Sequence, residues 1–468
     1  MATREFDLVV LGGGSAGYAA ALRAAELGDS VAVVERDAVG GTCLHRGCVP
    51  TKALLHTAEV ADAVRHAAAV GVHATLDGVD PASALAWRRK LVEGKHRGLR
   101  SLLSARGVEV VSGEGRLLTG DGSPAIAVGD DLLVGRDVVL ATGAASRALP
   151  GVAFGPRVMD SEGALALERV PDRAVVIGGG VIGVEFASAW RSLGAEVVIV
   201  EAAETLVPNE DPAVRDALLK ALRRRGIRVE LSAPVSGVSE TADGASVTIG
   251  RDDASEVLDA DTVLVAIGRV PATAGIGLDE AGIALEGPFV SVDAELRTPA
   301  AHVWAAGDLV SGPQLAHRGF RHGLFIAERI HDLPVSPLDD ALVPRVTYAT
   351  PEIASVGLTE PQAAERFGAD AVRTVEVPLA SNAKSEIVSA GSDVRGGFAK
   401  VVRRVDGPVL GVHLVGPRVG ELVTEGQLAV AWEATPDDLT PLVHAHPSQS
   451  EVLGEAFLAL AGSPLHTL

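Results

Sequence analysis

The chain has 468 residues, 47% hydrophobic and 22% charged, which is enough for a buried core and, at roughly 150 residues per domain, for about three domains. A formal net charge of −20 argues against a grip on nucleic-acid phosphates or on an anionic membrane surface, and no apolar run nears the roughly 18 residues of a membrane span. The start of the chain carries no charged-then-apolar-then-small pattern, so no cleaved leader is expected and a soluble, cytoplasmic protein is.

In chain order, an apolar run over 6–11 reads as a strand and meets Gly12-Gly13-Gly14-Ser15-Ala16-Gly17. An alanine-rich helical stretch follows to Leu27, and a second strand over 31–34 ends on Glu35. The same unit recurs. A strand over 174–177 meets Gly178-Gly179-Gly180-Val181-Ile182-Gly183, a helical stretch runs to Leu193, and a strand over 197–200 ends on Glu201. The acid lies 23 positions after the first glycine in both copies. In such a unit the first glycine (12, 178) permits the tight turn. The second (14, 180) lets the backbone approach a pyrophosphate, and the third (17, 183) lets helix and strand pack closely. The helix N-terminus offers N–H groups and a positive dipole end to the phosphates, and the carboxylate accepts from ribose hydroxyls. Two copies with one offset predict two dinucleotide-binding units.

Between the copies lie the only two cysteines, in Cys43-Leu44-His45-Arg46-Gly47-Cys48-Val49-Pro50-Thr51-Lys52. Residues 53–69 read as a helix. Residues five apart in a regular helix sit about 8.7 Å apart, beyond the ~7 Å limit for a disulfide, so a bond here requires a distorted entry to the helix, which Gly47 makes easy. The residues alone leave three readings: incidental buried thiols, a three-ligand Cys-x-His-x-x-Cys metal fragment with no second cluster to close it, or a redox-active pair. The last is favoured, because a dithiol beside a dinucleotide fold needs only a carrier to couple the two. No metal is expected.

Further strands end on glycine or aspartate, where ligands sit in open parallel sheets. They are 137–140 before Ala141-Thr142-Gly143, 261–267 before Gly268-Arg269, and 303–306 before Gly307-Asp308. Ordinary turn punctuation would explain any one of them. Beyond about 340 the chain shows strand pieces at 355–357, 398–402 and 409–414, helices over 421–434 and 451–460, and no third glycine fingerprint. The predicted domains are 1–151, 152–273, a return segment 274–339, and 340–468. Before the last helix stands His444-Ala445-His446-Pro447-Ser448-Gln449-Ser450-Glu451. Ser448-x-x-Glu451 fits a capping box, a sufficient structural reason for the glutamate.

Taken together, the two fingerprints, Gly-Gly-Thr-Cys-x4-Cys-Val-Pro-Thr-Lys, Ala-Thr-Gly, Ala-Gly-Asp and His-x-His-Pro-x3-Glu resemble the pyridine-nucleotide disulfide oxidoreductases, in that family's order and over essentially the whole chain. The resemblance implies an α/β protein with two Rossmann-like domains, the first for FAD and the second for NAD, and a C-terminal α+β domain that forms a homodimer. It places Gly12, Gly14, Gly17 and Glu35 on FAD, with Thr42, Gly115, Gly143, Asp308 and Ala316 along the rest of its path. It places Gly178, Gly180, Gly183, Glu201 and Gly268 at NAD, and Lys52 by the flavin, paired with Glu185. A solvated lysine is the plain alternative for Lys52. Cys43 and Cys48 would be the redox-active disulfide and His446 the acid–base residue, with His444 its rival, reaching the disulfide of the other subunit. Glu451 would orient His446, as a carboxylate does in a triad.

The branch most resembled oxidises protein-bound dihydrolipoamide, so the implied partners are lipoyl domains of 2-oxo-acid dehydrogenase or glycine cleavage complexes. Glu201 favours NAD over NADP, since a carboxylate repels a 2′-phosphate and the stretch Ala202-Ala203-Glu204-Thr205 offers no arginine to accept one. An NAD(P)H-dependent reductase of a mycothiol- or glutathione-type disulfide stays open, as does, more remotely, a non-enzymatic FAD-binding redox sensor. His45 stands where such enzymes often carry asparagine.

Overall fold

The computed structural model describes residues 2–120, 122–251, 254–392 and 396–467. The chain divides into two compact units. One comprises Met1–Pro50, Ala86–Arg147 and Arg269–Asp340, the other Thr51–Leu85, Ala148–Gly268 and Ala341–Leu468.

The first unit is built on a seven-stranded sheet in the order Glu109–Ser112, Val31–Glu35, Ala2–Leu11, Asp131–Leu140, Ala125–Val128, Gly115–Leu118, with Val303–Ala305 also paired to Asp131–Leu140. The pairings of Ala2–Leu11 with Val31–Glu35 and with Asp131–Leu140 are parallel. Leu8, Val9, Val10 and Leu11 are all buried, as a parallel strand covered on both faces requires. Their alternation sorts them. Leu8, Val10, Val31 and Val33 pack with Ala16, Ala21, Leu103 and Phe325, while Val9, Leu11, Ala32 and Val34 pack with Leu117, Ile126 and Ile276 on the opposite side.

The helix Ala316–Ile330 lies along the helix Ser15–Glu26. A side chain at Gly323 would overlap the Ala16 carbonyl, so the backbones meet through small residues. This packing brings the turn Gly307–Leu309, which carries Asp308, against Ala16.

The second unit holds a five-stranded parallel sheet in the order Arg228–Glu230, Glu196–Val200, Arg173–Ile177, Thr262–Val265, Val158–Met159. An antiparallel meander, Val235–Glu240, Ala245–Arg251 and Ala254–Ala260, accompanies it. The C-terminal residues form an antiparallel sheet ordered Arg345–Thr347, Glu352–Gly357, Val409–Gly416, Phe398–Arg404, Val372–Pro378. Its apolar face, including Val356, Val401, Val412 and Leu414, is covered by Val423, Val452 and Phe457 from the last helices.

Asp211 caps the helix Pro212–Arg224 through the Ala213 N–H at 3.0 Å and takes an ion pair from the buried Lys400 at 2.8 Å. Lys400 also reaches Glu360 at 2.6 Å.

Two segments differ from the expected pattern. The stretch 421–434 is a short turn Val419–Glu421 followed by a helix Val423–Ala431, ended by Glu433 at φ +50°. The helix expected over 53–69 starts earlier, at Cys48, runs to His66, and continues as a 3₁₀ turn Ala67–Val70. It is preceded by a six-residue helix Gly41–Arg46 that periodicity did not predict, because it opens on two glycines and buries no residue. No helix among the described residues is long and apolar enough to cross a membrane.

Candidate functional site

The two glycine turns are built alike. Gly12 and Gly178 sit at φ +104° and +112°, and a side chain on either would overlap the carbonyl of Ala141 or Ala266 at the end of the neighbouring strand. A side chain at Gly17 or Gly183 would overlap the carbonyl of Gly12 or Gly178, so the third glycine lets the helix lie on the turn. Around the middle glycines, 14 and 180, a Cβ would find nothing within 4 Å. That is a cradle in which protein atoms leave room for another group.

The helices that start there, Ser15–Glu26 and Val181–Ser192, have no side-chain cap and no acidic residue in the first turn. By contrast, Asp160 and Asp211 cap the helices Ser161–Ala166 and Pro212–Arg224. The uncapped N–H groups suit an anion.

The acids at the strand ends are oriented identically. Glu35 accepts from the Gly13 N–H at 2.7 Å and the Asp37 N–H at 2.9 Å, and Glu201 from the Gly179 N–H at 2.6 Å and the Ala203 N–H at 2.8 Å. The residues present fit an adenine dinucleotide in each unit.

Along the remaining path, Gly143 (φ +73°) and Gly268 (φ +107°) follow the strands Asp131–Leu140 and Thr262–Val265 and have open space where a side chain would be. Gly115 is different. A Cβ there would crowd Leu11, Val34 and Ile126, so its smallness serves the core and only its backbone could face a ligand. Asp308 sits in the Gly307–Leu309 turn, where burial pushes its carboxyl above the usual range despite the opposing charges of Arg269 and Arg318. Next to it the buried His322 accepts the Gly307 N–H at 3.3 Å, and burial pushes this ring down to about 3, so it stays neutral. Ala316 opens the helix Ala316–Ile330, which has no side-chain cap.

Thr42 and Cys43 lie on the short helix Gly41–Arg46, and Cys48 opens the next helix. The break between them is Gly47, at φ −139° and ψ −112°, where a Cβ would come within 2.9 Å of the Thr42 carbonyl oxygen. Cys43 is half-buried and Cys48 exposed. Tyr18, on the first glycine-turn helix, is pushed up to about 12 by burial and then by the charge of Cys43, a neighbour that sequence spacing did not reveal. Among the described residues no group of three or more histidines, cysteines or acids is placed to hold a metal ion.

In the second unit the Lys52 ammonium lies 2.7 Å from both oxygens of Glu185. The buried Glu185 also accepts the Tyr348 N–H at 2.9 Å, and Lys52 sits 4.8 Å from the Tyr348 ring centre. Tyr348 was not anticipated, since nothing local marks a backbone N–H that will meet a carboxylate 163 positions away.

The two histidines near the C-terminus part company. His444 is only 14% exposed, bonded through Nε2 to Glu425 at 2.7 Å, and that bond holds its ring above the ordinary value. The His446 side chain is 76% exposed, with Nδ1 2.9 Å from Glu451 Oε1. The other oxygen of Glu451 accepts the Ser448 N–H at 2.8 Å, and this bond, then the one to His446, holds the carboxyl below the usual range. The capping box forms by half. Ser448 Oγ pairs with Ser450 Oγ at 3.0 Å, and Ser450 is the N-cap residue. One carboxylate thus makes both contacts that the sequence offered as alternatives.

Comparison with known proteins agrees with this arrangement. The family described as pyridine nucleotide-disulphide oxidoreductase matches residues 6–323, and the dimerisation domain of the same family matches residues 343–457. A dihydrolipoyl dehydrogenase of Bacillus subtilis is 36% identical, over the full length of both chains. Among solved structures, LpdA of Mycobacterium tuberculosis superposes with a TM-score of 0.89 at 30% identity, covering 97% of this chain and 99% of that one. The HOCl-induced flavoprotein disulfide reductase RclA of Escherichia coli, as its Cu(II) complex, does so at 0.85 and 28%, with the same coverage. Two glycine cradles with matched carboxylates, and family matches that between them run from residue 6 to 457, lead to one conclusion: the chain belongs to the pyridine nucleotide-disulphide oxidoreductases, α/β enzymes that work with FAD and NAD.

Proposed function

We propose that the chain is a dihydrolipoyl dehydrogenase, oxidising protein-bound dihydrolipoamide to lipoamide and reducing NAD through a Cys43–Cys48 disulfide. The observation that carries the reading is the exposed His446 backed by an ionised Glu451. With Nδ1–H donated to the carboxylate, Nε2 is left as the base. A lipoyl S–H gives its proton to Nε2 of His446 from the second copy of the chain, and the resulting thiolate attacks Cys43 Sγ. The Cys43–Cys48 bond breaks, and Cys48 leaves as a thiolate. The second lipoyl sulfur then attacks the sulfur bonded to Cys43, closing the lipoyl disulfide; its proton passes to Cys43, which leaves as a thiol. FAD and NAD, when bound, supply the two-electron acceptor chemistry that restores the enzyme's disulfide.

On this reading Glu35 and Glu201 hold the ribose hydroxyls, Gly12, Gly14, Gly17, Gly178, Gly180 and Gly183 shape the pyrophosphate seats, and Lys52 is steered by Glu185. The 36% identity to a full-length dihydrolipoyl dehydrogenase supports the choice of substrate. The partners are a second copy of the chain and lipoyl domains. Exposed apolar side chains at Trp432, Leu442 and Val443, close in sequence to His446, support self-association. A cytoplasmic location goes with the reading, by likeness to the full-length bacterial relative.

The test is dihydrolipoamide-dependent NADH formation by the purified, flavin-loaded protein. Activity that Cys48→Ser and His446→Ala both abolish supports the reading. Faster NADPH-driven reduction of a low-molecular-weight disulfide overturns it in favour of the second reading, for which the likeness to RclA speaks.

A further inference from the structure

The helix Gly41–Arg46 is six residues long, buries none of them, and has only Gly40 at its N-cap, with no side-chain hydrogen bond there. A helix that short has little stability of its own and depends on what anchors it. His45 anchors it from within. Its Nε2 lies 3.0 Å from the carbonyl oxygen of Val39, a buried residue just before the turn into the helix. His96, on the helix Pro81–Ala105, places Nδ1 3.1 Å from the same oxygen.

A carbonyl only accepts, so both ring nitrogens are donors: His45 carries its proton on Nε2 and His96 on Nδ1. The rings meet edge to face with centres 4.9 Å apart. The shared carbonyl belongs to the turn that rests on the first glycine fingerprint. The Gly40 N–H donates to the Gly13 carbonyl at 2.8 Å, and a Cβ on Gly41 would stand 2.8 Å from Gly14 Cα.

We propose that His45 and His96 form a two-donor clamp on the Val39 carbonyl that holds the Cys43-bearing helix in register with the first glycine turn. Both are positioning residues for Cys43. The inference rests on the reading of Cys43 as the sulfur attacked by substrate. His45 fixes the helix to the turn, and His96 fixes the turn from a separate helix 57 positions along the chain. The two act through one oxygen, so their effects are coupled rather than additive.

Cys43 reactivity reports the clamp independently of turnover. The flavin-loaded enzyme is reduced with excess dithiothreitol and treated with iodoacetamide, and alkylation of Cys43 and Cys48 is followed separately by peptide mass. Loss of one net hydrogen bond shifts local opening by about fivefold. His45→Ala and His96→Ala are each expected to speed Cys43 alkylation by about that factor, with the double variant well short of the product of the two. Substitutions that return a donor to the same place, His45→Gln for Nε2 and His96→Asn for Nδ1, should restore most of the wild-type rate.

Unchanged Cys43 rates in both alanine variants overturn the proposal. So does an effect of His45→Ala that His96→Ala does not share, or a failure of both amides to rescue. Global damage would show instead as equal acceleration at Cys48 and lost flavin, which also counts against the clamp. Wild-type enzyme that fails to oxidise dihydrolipoamide while Cys43 still responds to both histidines would remove the substrate assignment and leave the clamp standing.

Discussion

Within one fingerprint, two glycines should fail for different physical reasons when replaced by alanine. Gly180 has an extended backbone, φ −76° and ψ −177°, and open space where a Cβ would go, so alanine fits the protein. Its stability cost is that of a poorer N-cap, below ~1 kcal/mol, or less than about 4 °C in melting temperature. The added methyl stands where a pyrophosphate would meet the backbone. Loss of one charge-assisted hydrogen bond there, worth ~1.5–3 kcal/mol, weakens NADH binding by roughly 10–100-fold.

Gly183 is the opposite case. Its Cβ would overlap the Gly178 carbonyl oxygen and stand 3.1 Å from Val176 Cγ1, so backbone must move. Overpacking of roughly 3 kcal/mol against a helix-propensity gain of ~1 leaves a net loss of about 2, or about 4–8 °C in melting temperature. The assay pairs thermal unfolding with NADH titration of the flavin-loaded protein. A Gly180→Ala protein that melts as low as Gly183→Ala, or that binds NADH as tightly as wild type, would refute this distinction.

Three further outcomes are expected. His446→Ala should lower kcat/KM for dihydrolipoamide by about 10²–10⁴-fold, the usual worth of a general base, with a smaller loss for Glu451→Gln because Gln still accepts the Nδ1–H bond; steady-state kinetics settle the order. Lys400→Met strands the fully buried Asp211 without its ammonium and should cost about 3–5 kcal/mol in denaturant unfolding, whereas Lys220→Met on a nearby helix surface should cost almost nothing. Burial pushes Glu352 up to about 6 from 4.5, so its contribution is favourable while protonated and is lost as pH rises through about 6. Glu352→Gln should therefore melt higher than wild type at about pH 8, with the gain gone below pH 4.5, and no pH dependence in the difference would contradict the assignment.

The residue pattern alone determined a good deal. Two strand–turn–helix–strand units, the acids ending them, the cysteine pair and the glycine between them are all legible, because each depends on neighbours within one turn or a few residues. A glycine that must adopt φ +104°, or an apolar run buried on both faces, leaves its mark in the local sequence. The helix Gly41–Arg46 left no such mark, since its glycine start contradicts helix propensity and none of its residues is buried.

Tertiary structure decided the pairings. Sequence ranked His446 above His444 by resemblance alone; only the fold shows that Glu425, on the helix Val423–Ala431, engages His444, while His446 is exposed and faces Glu451. Glu451 could orient a histidine or serve a helix start, and its two oxygens do one each. Tyr348 reaches Glu185, and His96 joins His45 on one carbonyl. Tyr348 and Glu185 are 163 positions apart and His96 and Val39 are 57 apart, so a one-dimensional pattern holds such donors and acceptors but not which of them meet.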